Sequence, residues 1–432
     1  MSRYITSYNF TLTSKAPLHI GRTKDSLHQV VEEVQGKEVV KAKIPATVFA
    51  GAFRTYLEKQ GYVEEAKAYF GTVANKSQIQ ISDAIGEQPL LLEVRTGVRL
   101  NAATGVAIRG ALIDRQYVAE GCVFNCALKA NYDRVDSNLL SLEAVVTLLL
   151  QGLDNGAIRL GAYTSTGAGL FSVSNVKCYT LDLTDKKDLF TYIYNTPQYT
   201  DVVLTQGSTV GVKFILKATS NTALLVGGRR AKDNKLADVS QMSREQGYLN
   251  DTADGYIIPG TSLKGVLRNE VNKLVNSLGL DSGLVDNLFG STDIRNASAS
   301  KLFINDSLLT NVHEEYYNNI RVDKFTQGIR QGAKADNSPV FGDVVFKITY
   351  NTGKTMTVED KKSIALLSLV LNDLALGNVA IGSGANIGRG TFKGSVLEIK
   401  GLEKDILVSY NDMDDVNEDI LESYLDLVKV GV

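Results

Sequence analysis

The strongest constraint on the fold is an internal repeat built around an apolar run that stops at a proline. Residues 256–268 read Tyr-Ile-Ile-Pro-Gly-Thr-Ser-Leu-Lys-Gly-Val-Leu-Arg. Proline disfavours the α conformation in the residue before it, and Gly260 allows a tight turn. A strand therefore ends here and a helix opens at about Thr261. Thr261 or Ser262 is placed to cap that helix, leaving its early amides outward as an anion site. Lys264 and Arg268 lie four residues apart and share one helix face. An earlier copy begins at Ile44-Pro45 and runs to Gly51 and Arg54; it keeps these four landmarks and lacks the Lys.

Further landmarks follow in the same order in both halves, the signature of a duplicated unit. Phe10 to Gly21 and Val212 to Gly228 read as strands ending in a turn. Phe70-Gly71 pairs with Phe289-Gly290, Ile81-Ser-Asp83 with Ile304-Asn-Asp306, and Val98-Arg99-Leu100 with Ile320-Arg321-Val322. Gly-rich excursions at 101–121 and 323–343 come next, each expected to project as a hairpin. Helices are expected at about 139–153 and 358–374. Each copy closes on a glycine loop and a strand. The loops carry Gly161, Gly167 and Gly169 in the first copy, and Gly382, Gly384, Gly388 and Gly390 in the second. The offset between copies is 214 residues at the proline and 221 at three successive loop glycines.

Strand, helix, strands, helix, glycine loop, strand is the order of a split β-α-β unit. The expectation is an α+β chain of two tandem ferredoxin-like (RRM-like) domains, each with an inserted hairpin. The first module spans 1–180, a connector 181–206, the second module 207–400, and an acidic helical appendage 401–432.

Composition narrows the class. No run of about 18 apolar residues exists for a membrane helix, and no signal peptide is indicated. Cys122, Cys126 and Cys178 offer no second ligand pair for zinc, so no metal ligand set is read from them, and they fit reduced thiols in a cytoplasmic protein. The formal charge is −2, but residues 412–427 hold seven acids and no Lys or Arg, so the remainder carries +5. A mildly basic body fits nucleic-acid contact, among other roles.

The second glycine loop superficially suggests a dinucleotide fingerprint. That motif needs strand, glycines, then helix, whereas this loop follows a helix and leads into a strand. Bare backbone in each copy instead suits the approach of a phosphodiester chain, against the plain alternative of a tightly packed turn. Arg229, Arg230, Lys232 and Lys235 crowd the segment after Gly228, with Arg22 and Lys24 at the like place in the first copy. Such clusters contact phosphate or merely solubilise a loop. His19 ends an apolar strand and reads as structural; His28 has no identifiable partner. Among the acids, Asp238 lies between the basic cluster and the Ile-Pro strand. Asp25 occupies the matching segment of the first copy, with Glu32 and Glu33 as rivals.

These residues resemble those of the RAMP-superfamily backbone subunits of type III CRISPR effector complexes. The matching features are Leu18-His-Ile-Gly21, the Ile258-to-Gly265 signature with Arg268, Phe289-Gly290, Arg321-Val-Asp323 and the paired glycine loops. The tandem arrangement is similar to two-module subunits of type III-D systems. The resemblance implies antiviral ribonucleoprotein partners: a CRISPR guide RNA (crRNA), complementary target RNA and other effector subunits. It implies a hairpin acting as a thumb that interrupts the guide–target duplex. Arg54, Arg229, Arg230, Gly260, Ser262, Lys264, Arg268 and the seven loop glycines would then face RNA. In catalytic members, a loop Asp after the first strand cuts target RNA with a divalent metal such as Mg; Asp238 matches that position, and Asp25 is its first-copy counterpart. The alternatives are a purely structural RNA-binding subunit and a guide-processing endonuclease. The latter wants a His that His19, His28 and His313 do not convincingly supply.

Overall fold

A computed structural model describes residues 3–21, 27–101, 107–133, 138–205, 211–228, 248–252, 255–291, 297–353, 355–410 and 418–428. The chain divides into two compact units. One comprises residues 1–93, 116–164 and 168–210, the other residues 94–115, 165–167 and 211–432.

The sheet of the first unit contains β1 (Tyr4–Ser14), β2 (Gln29–Val34), β3 (Lys37–Ile44), β4 (Ile79–Ile81), β5 (Ala84–Gly86), β8 (Val123–Tyr132), β9 (Phe171–Asp182) and β10 (Thr200–Asp201). Helices α1 (Ala46–Lys59), α2 (Val63–Phe70), α3 (Leu142–Asp154) and α4 (Lys186–Ile193) complete it. The strand order is β10-β9-β1-β8-β5-β3-β2, with β4 also on β8, and every pairing is antiparallel. The first strand thus lies between the last two core strands, and β8 separates β1 from the strands that follow the first helix. Alternation turns Tyr8, Phe10 and Leu12 of β1 inward, against Phe49 and Phe53 of α1 and Val146 and Leu149 of α3 in one core.

The second unit repeats the plan. Its strands are β11 (Val212–Ser220), β12 (Gly227–Gly228), β13 (Tyr248–Thr252), β14 (Gly255–Ile258), β15 (Leu302–Ile304), β16 (Ser307–Glu314), β19 (Val340–Tyr350), β20 (Phe392–Lys400) and β21 (Ile406–Ser409). Their order is β12-β13-β14-β16-β19-β11-β20-β21, with β15 also on β19. Helices α5 (Gly260–Ser277), α6 (Gly283–Phe289), α7 (Val358–Ala375) and α8 (Glu418–Asp426) belong here. Even the irregularity recurs: a bulge falls at Asn9/Thr11 between β1 and β9, and at Lys217/Ala218 between β11 and β20. The described residues after the last core strand of each unit carry further elements. The stretch 181–206 carries α4 and β10, and the stretch after residue 400 adds β21 to the edge of the sheet and lays α8 on α7. Among the described residues, no helix is long and apolar enough to cross a membrane.

The excursions are hairpins that start earlier than their glycines suggest. β6 (Leu92–Leu100) pairs with β7 (Ala107–Val118), and β17 (Tyr317–Val322) with β18 (Ile329–Asn337), each as a separate two-stranded sheet. Val98, Ile320 and Val322, which the sequence suggests as core strand, are half-exposed on these arms.

One buried polar cluster fixes α7 on its sheet. Thr357 and Asp360 form a reciprocal capping box at its N-terminus. The Asp360 carboxylate, 1% exposed, also accepts from Lys301 Nζ at 2.8 Å and from the Tyr350 hydroxyl at 2.6 Å. Burial pushes this carboxyl up, but the hydrogen bonds from Lys301, Tyr350 and Thr357 outweigh it and hold it below its ordinary range. A depressed folded-state pKa contributes stability that is present above the unfolded value of about 3.9. It is lost as pH falls through the folded value. Asp360→Asn is expected to cost about 2–4 kcal/mol at pH 7. It should also narrow the stability gap to the native protein as the pH drops below 4, with urea unfolding at both pH values as the check. A variant as stable as the native protein at pH 7 would contradict this reading.

Candidate nucleic-acid interface

Pro45 and Pro259 occupy the N-cap positions of α1 and α5, with nearly identical angles (φ −61, ψ 143 and φ −62, ψ 140) and no side-chain cap of their own. A proline has no side-chain acceptor, so a carboxylate comes from the strand that follows. Asp83 Oδ1 accepts from the Ala46 amide at 2.8 Å, and Asp306 Oδ1 from the Gly260 amide at 2.8 Å. This corrects two expectations. Neither Thr261 nor Ser262 caps α5, and the first amide of each helix is taken by an internal carboxylate, where the helix dipole favours negative charge. The second oxygen of each Asp is held as well. Lys43 Nζ lies 2.5 Å from Asp83, and within the second unit Arg95 pairs with Asp306. Lys43 and the Ala46 amide keep the Asp83 carboxyl below its ordinary range. The signal was present in the sequence, because both aspartates end matched Ile-x-Asp strands.

Lys264 and Arg268 do share a face of α5. Lys264 Nζ donates to Ser165 Oγ at 2.9 Å within the second unit. Burial, then the charge of Arg268, pushes its ammonium down to about 8. Arg268 is half-exposed, 3.6 Å from Asp286. Arg54 on α1 is more committed: Nε meets Glu58 Oε1 at 3.0 Å and Nη1 donates to the Gly71 carbonyl at 3.2 Å, tying α1 to the Phe70-Gly71 turn. Gly260 is small for a packing reason, since a Cβ there would lie 2.3 Å from the Ile304 carbonyl oxygen. Ser262 lies in the first turn of α5, its amide bonded to the Pro259 carbonyl at 2.9 Å.

The two glycine loops are stapled alike to the segment after the first strand. Ala162 N donates to the His19 carbonyl at 2.8 Å, and Ser383 N to the Leu225 carbonyl at 2.7 Å. A Cβ on Gly161 or Gly382 would lie 2.5 Å from those same carbonyl oxygens. On Gly169 or Gly390 it would lie 2.1 Å from the carbonyl of Leu160 or Ile381. Close packing therefore accounts for these four. Gly167, at φ 102, stands within 3.1 Å of the Asp306 amide by the same construction, and Gly384 faces the Arg389 side chain. Gly388, at φ 79, has open space around it. The second loop also reaches the root of its hairpin: the Arg389 guanidinium sits 5.2 Å from the centre of the Tyr317 ring. At the hairpin tip, Asp323 Oδ1 accepts from the amides of Phe325 and Thr326 at 3.0 Å each, a locked turn that leaves Phe325 92% exposed.

His19 is buried, with Nδ1 2.7 Å from the Gln116 carbonyl oxygen and its ring edge-on to Tyr117 and Tyr163. It is part of the packing. Burial pushes the thiols of Cys122 and Cys126 up to about 11 and about 12. Asp238, Asp25, Arg229 and Arg230 lie outside the described residues, as do Lys232, Lys235, Arg22 and Lys24. Among the described residues, no cluster of three or more His, Cys, Asp or Glu is arranged to hold a metal ion.

The model of the RAMP superfamily matches residues 11–172 and 217–393. The chain belongs to that superfamily and carries its unit twice. No curated protein matches the chain. Among solved structures, it is similar to a chain in the cryo-electron-microscopy structure of the type III-B Cmr-beta bound to cognate target RNA. The identity is 19%, the match covers 40% of this chain and 60% of that one, and the TM-score is 0.29.

The two kinds of loop glycine should separate experimentally. Gly390→Ala must move a backbone carbonyl as well as strain φ, and is expected to cost more than about 3 kcal/mol. Gly388→Ala meets only the φ penalty, about 1–2 kcal/mol. Chemical denaturation of both variants checks the order, and equal losses would contradict it.

Proposed function

We propose that this chain is a guide-RNA-binding backbone subunit of a type III CRISPR effector complex, and that it cleaves target RNA paired with the guide. The observation that carries the reading is the doubled superfamily unit, each copy with its glycine loop stapled behind the first strand. A backbone subunit must hold a repeating ribose-phosphate chain without reading its bases, and main-chain donors with scattered cations suit that task. Lys264 and Arg268 on α5, and Gly388 in its open loop, are the described groups offered to that strand. The locked hairpin tip bearing Phe325 is the element proposed to part a guide–target duplex.

Cleavage is assigned to Asp238, with Asp25 as the first-copy candidate. In RNA transesterification the 2′-hydroxyl, in line with the adjacent phosphorus, forms the P–O2′ bond as the P–O5′ bond breaks and the leaving 5′-oxygen takes up a proton; a thumb that splays one nucleotide supplies that alignment. An Asp of ordinary pKa near 3.9 is a weak base at pH 7, so its contribution is to position the hydroxyl or a divalent metal such as Mg. In the assembled complex, Asp238→Ala should abolish one cut in a complementary RNA and leave target binding intact. Chelation of divalent metal should abolish the same cut. A cut pattern unchanged by both treatments removes Asp238 and the metal from the mechanism.

Lys264 gives a second test. Its ammonium discharges as pH rises through about 8, and only the charged form attracts phosphate. Guide affinity should therefore fall between pH 7 and 9 in the native protein. Lys264→Arg, which stays charged, should flatten that fall. Parallel pH profiles would take Lys264 out of the interface.

A further inference from the structure

The two copies differ in one respect that the duplication itself exposes. Helices α3 and α7 end in the same register: their C-caps are Asn155 and Leu376, followed by Gly156 and Gly377, both at φ 78. With that 221-residue offset, Leu140, Ala144, Thr147 and Gln151 correspond to Lys361, Ala365, Ser368 and Asn372. Lys361, Ala365, Ser368 and Asn372 lie on one face of α7, and Ala144, Thr147 and Gln151 on the like face of α3, with Leu140 just ahead of its N-cap Ser141.

In the second unit this face is covered. α8 packs on α7, Lys361 Nζ lies 5.4 Å from the centre of the Tyr424 ring, and Asn372 Oδ1 accepts from the Tyr410 hydroxyl at 3.1 Å. Ala365 is fully buried and Ser368 nearly so. In the first unit the lower end is matched, since Gln151 Nε2 donates to the Thr205 carbonyl at 3.0 Å. There the likeness stops. Only residues 206–211 separate Thr205 from β11, too few for a counterpart of α8 and a return. Ala144 is exposed, Thr147 and Leu148 are half-buried, and the face forms an open groove of about 470 Å³ that also takes in Tyr62 and Leu140.

We propose that this α3 groove is the seat of an amphipathic helix with a basic polar face, supplied by a partner protein. The shape of the occupant comes from the second unit, where a helix fills the equivalent place with Leu421, Tyr424, Leu425 and Val428 against the core. Its charge comes from the first unit. Exposed Glu143 stands where the second unit buries Ile364, and Glu65 borders the groove through its bond to the Leu140 amide. The acidic α8 of a second copy, with Glu418, Asp419, Glu422 and Asp426, is repelled by that rim. The proposal stands on the first unit and does not depend on RNA binding.

The probes are fluorescent, side-chain-cross-linked peptides, because a free helix this short is marginal in water. One has the sequence of residues 418–428 with its four acids replaced by Lys, one keeps the acids, and one scrambles the Lys version. Anisotropy with the full chain should show the Lys peptide binding at least tenfold tighter than the other two. Ala144→Arg combined with Thr147→Arg should weaken it at least tenfold, and Glu143→Lys should reverse the preference between the Lys and acidic peptides. Equal binding of the scrambled peptide, tighter binding of the acidic one, or indifference to both substitutions would overturn the proposal.

Discussion

Everything in either unit is hung on a first strand that is paired along both edges. β1 bonds β8 on one side and β9 on the other, and β11 bonds β19 and β20. Such a strand spends its main-chain groups on two neighbours, so its end is where the chain is free to meet other segments. The chain leaves that end through Leu18–Ile20 in one copy and Leu224–Val226 in the other, and there the glycine loops close on it. Gly161, Gly169, Gly382 and Gly390 are required there by backbone meeting backbone, at distances no Cβ tolerates.

The same logic explains the proline helices. A strand that stops at proline sets the helix start firmly but gives it no capping side chain, so a carboxylate is borrowed from the strand after the helix. Asp83 and Asp306 do this in register-equivalent positions, each with a cation on its other oxygen. The arrangement joins helix, strand and neighbouring cation into one charged cluster. It also removes the first helix amide from the list of groups a phosphate can reach. The anion contact proposed for α5 then draws on Lys264, whose burial already works against its charge.

Much of this was legible in the sequence, because proline and glycine leave traces that periodicity alone does not. Ile-Pro at 44–45 and 258–259 and the loop glycines located the repeat, and the stretch 358–374 anticipated α7. The hairpins begin before their glycines and include Val98, Ile320 and Val322, apolar residues on an exposed arm that local pattern does not distinguish from core strand. The caps were missed because Asp306 lies 46 residues from Gly260, beyond any local capping signature. Arg54, expected to face RNA, also meets Glu58 and the Gly71 carbonyl within the fold. A residue's type does not tell whether its charge is already answered within the fold.

The central claim is that a duplicated superfamily unit is built to hold one RNA strand by its backbone. The most direct measurement is the nucleic acid that accompanies the full chain when it is purified from cells containing a CRISPR array. The account predicts RNA of uniform length with array-derived sequence, released by high salt as phosphate contacts are screened. Protein free of RNA, or carrying fragments of every length and origin, would contradict it.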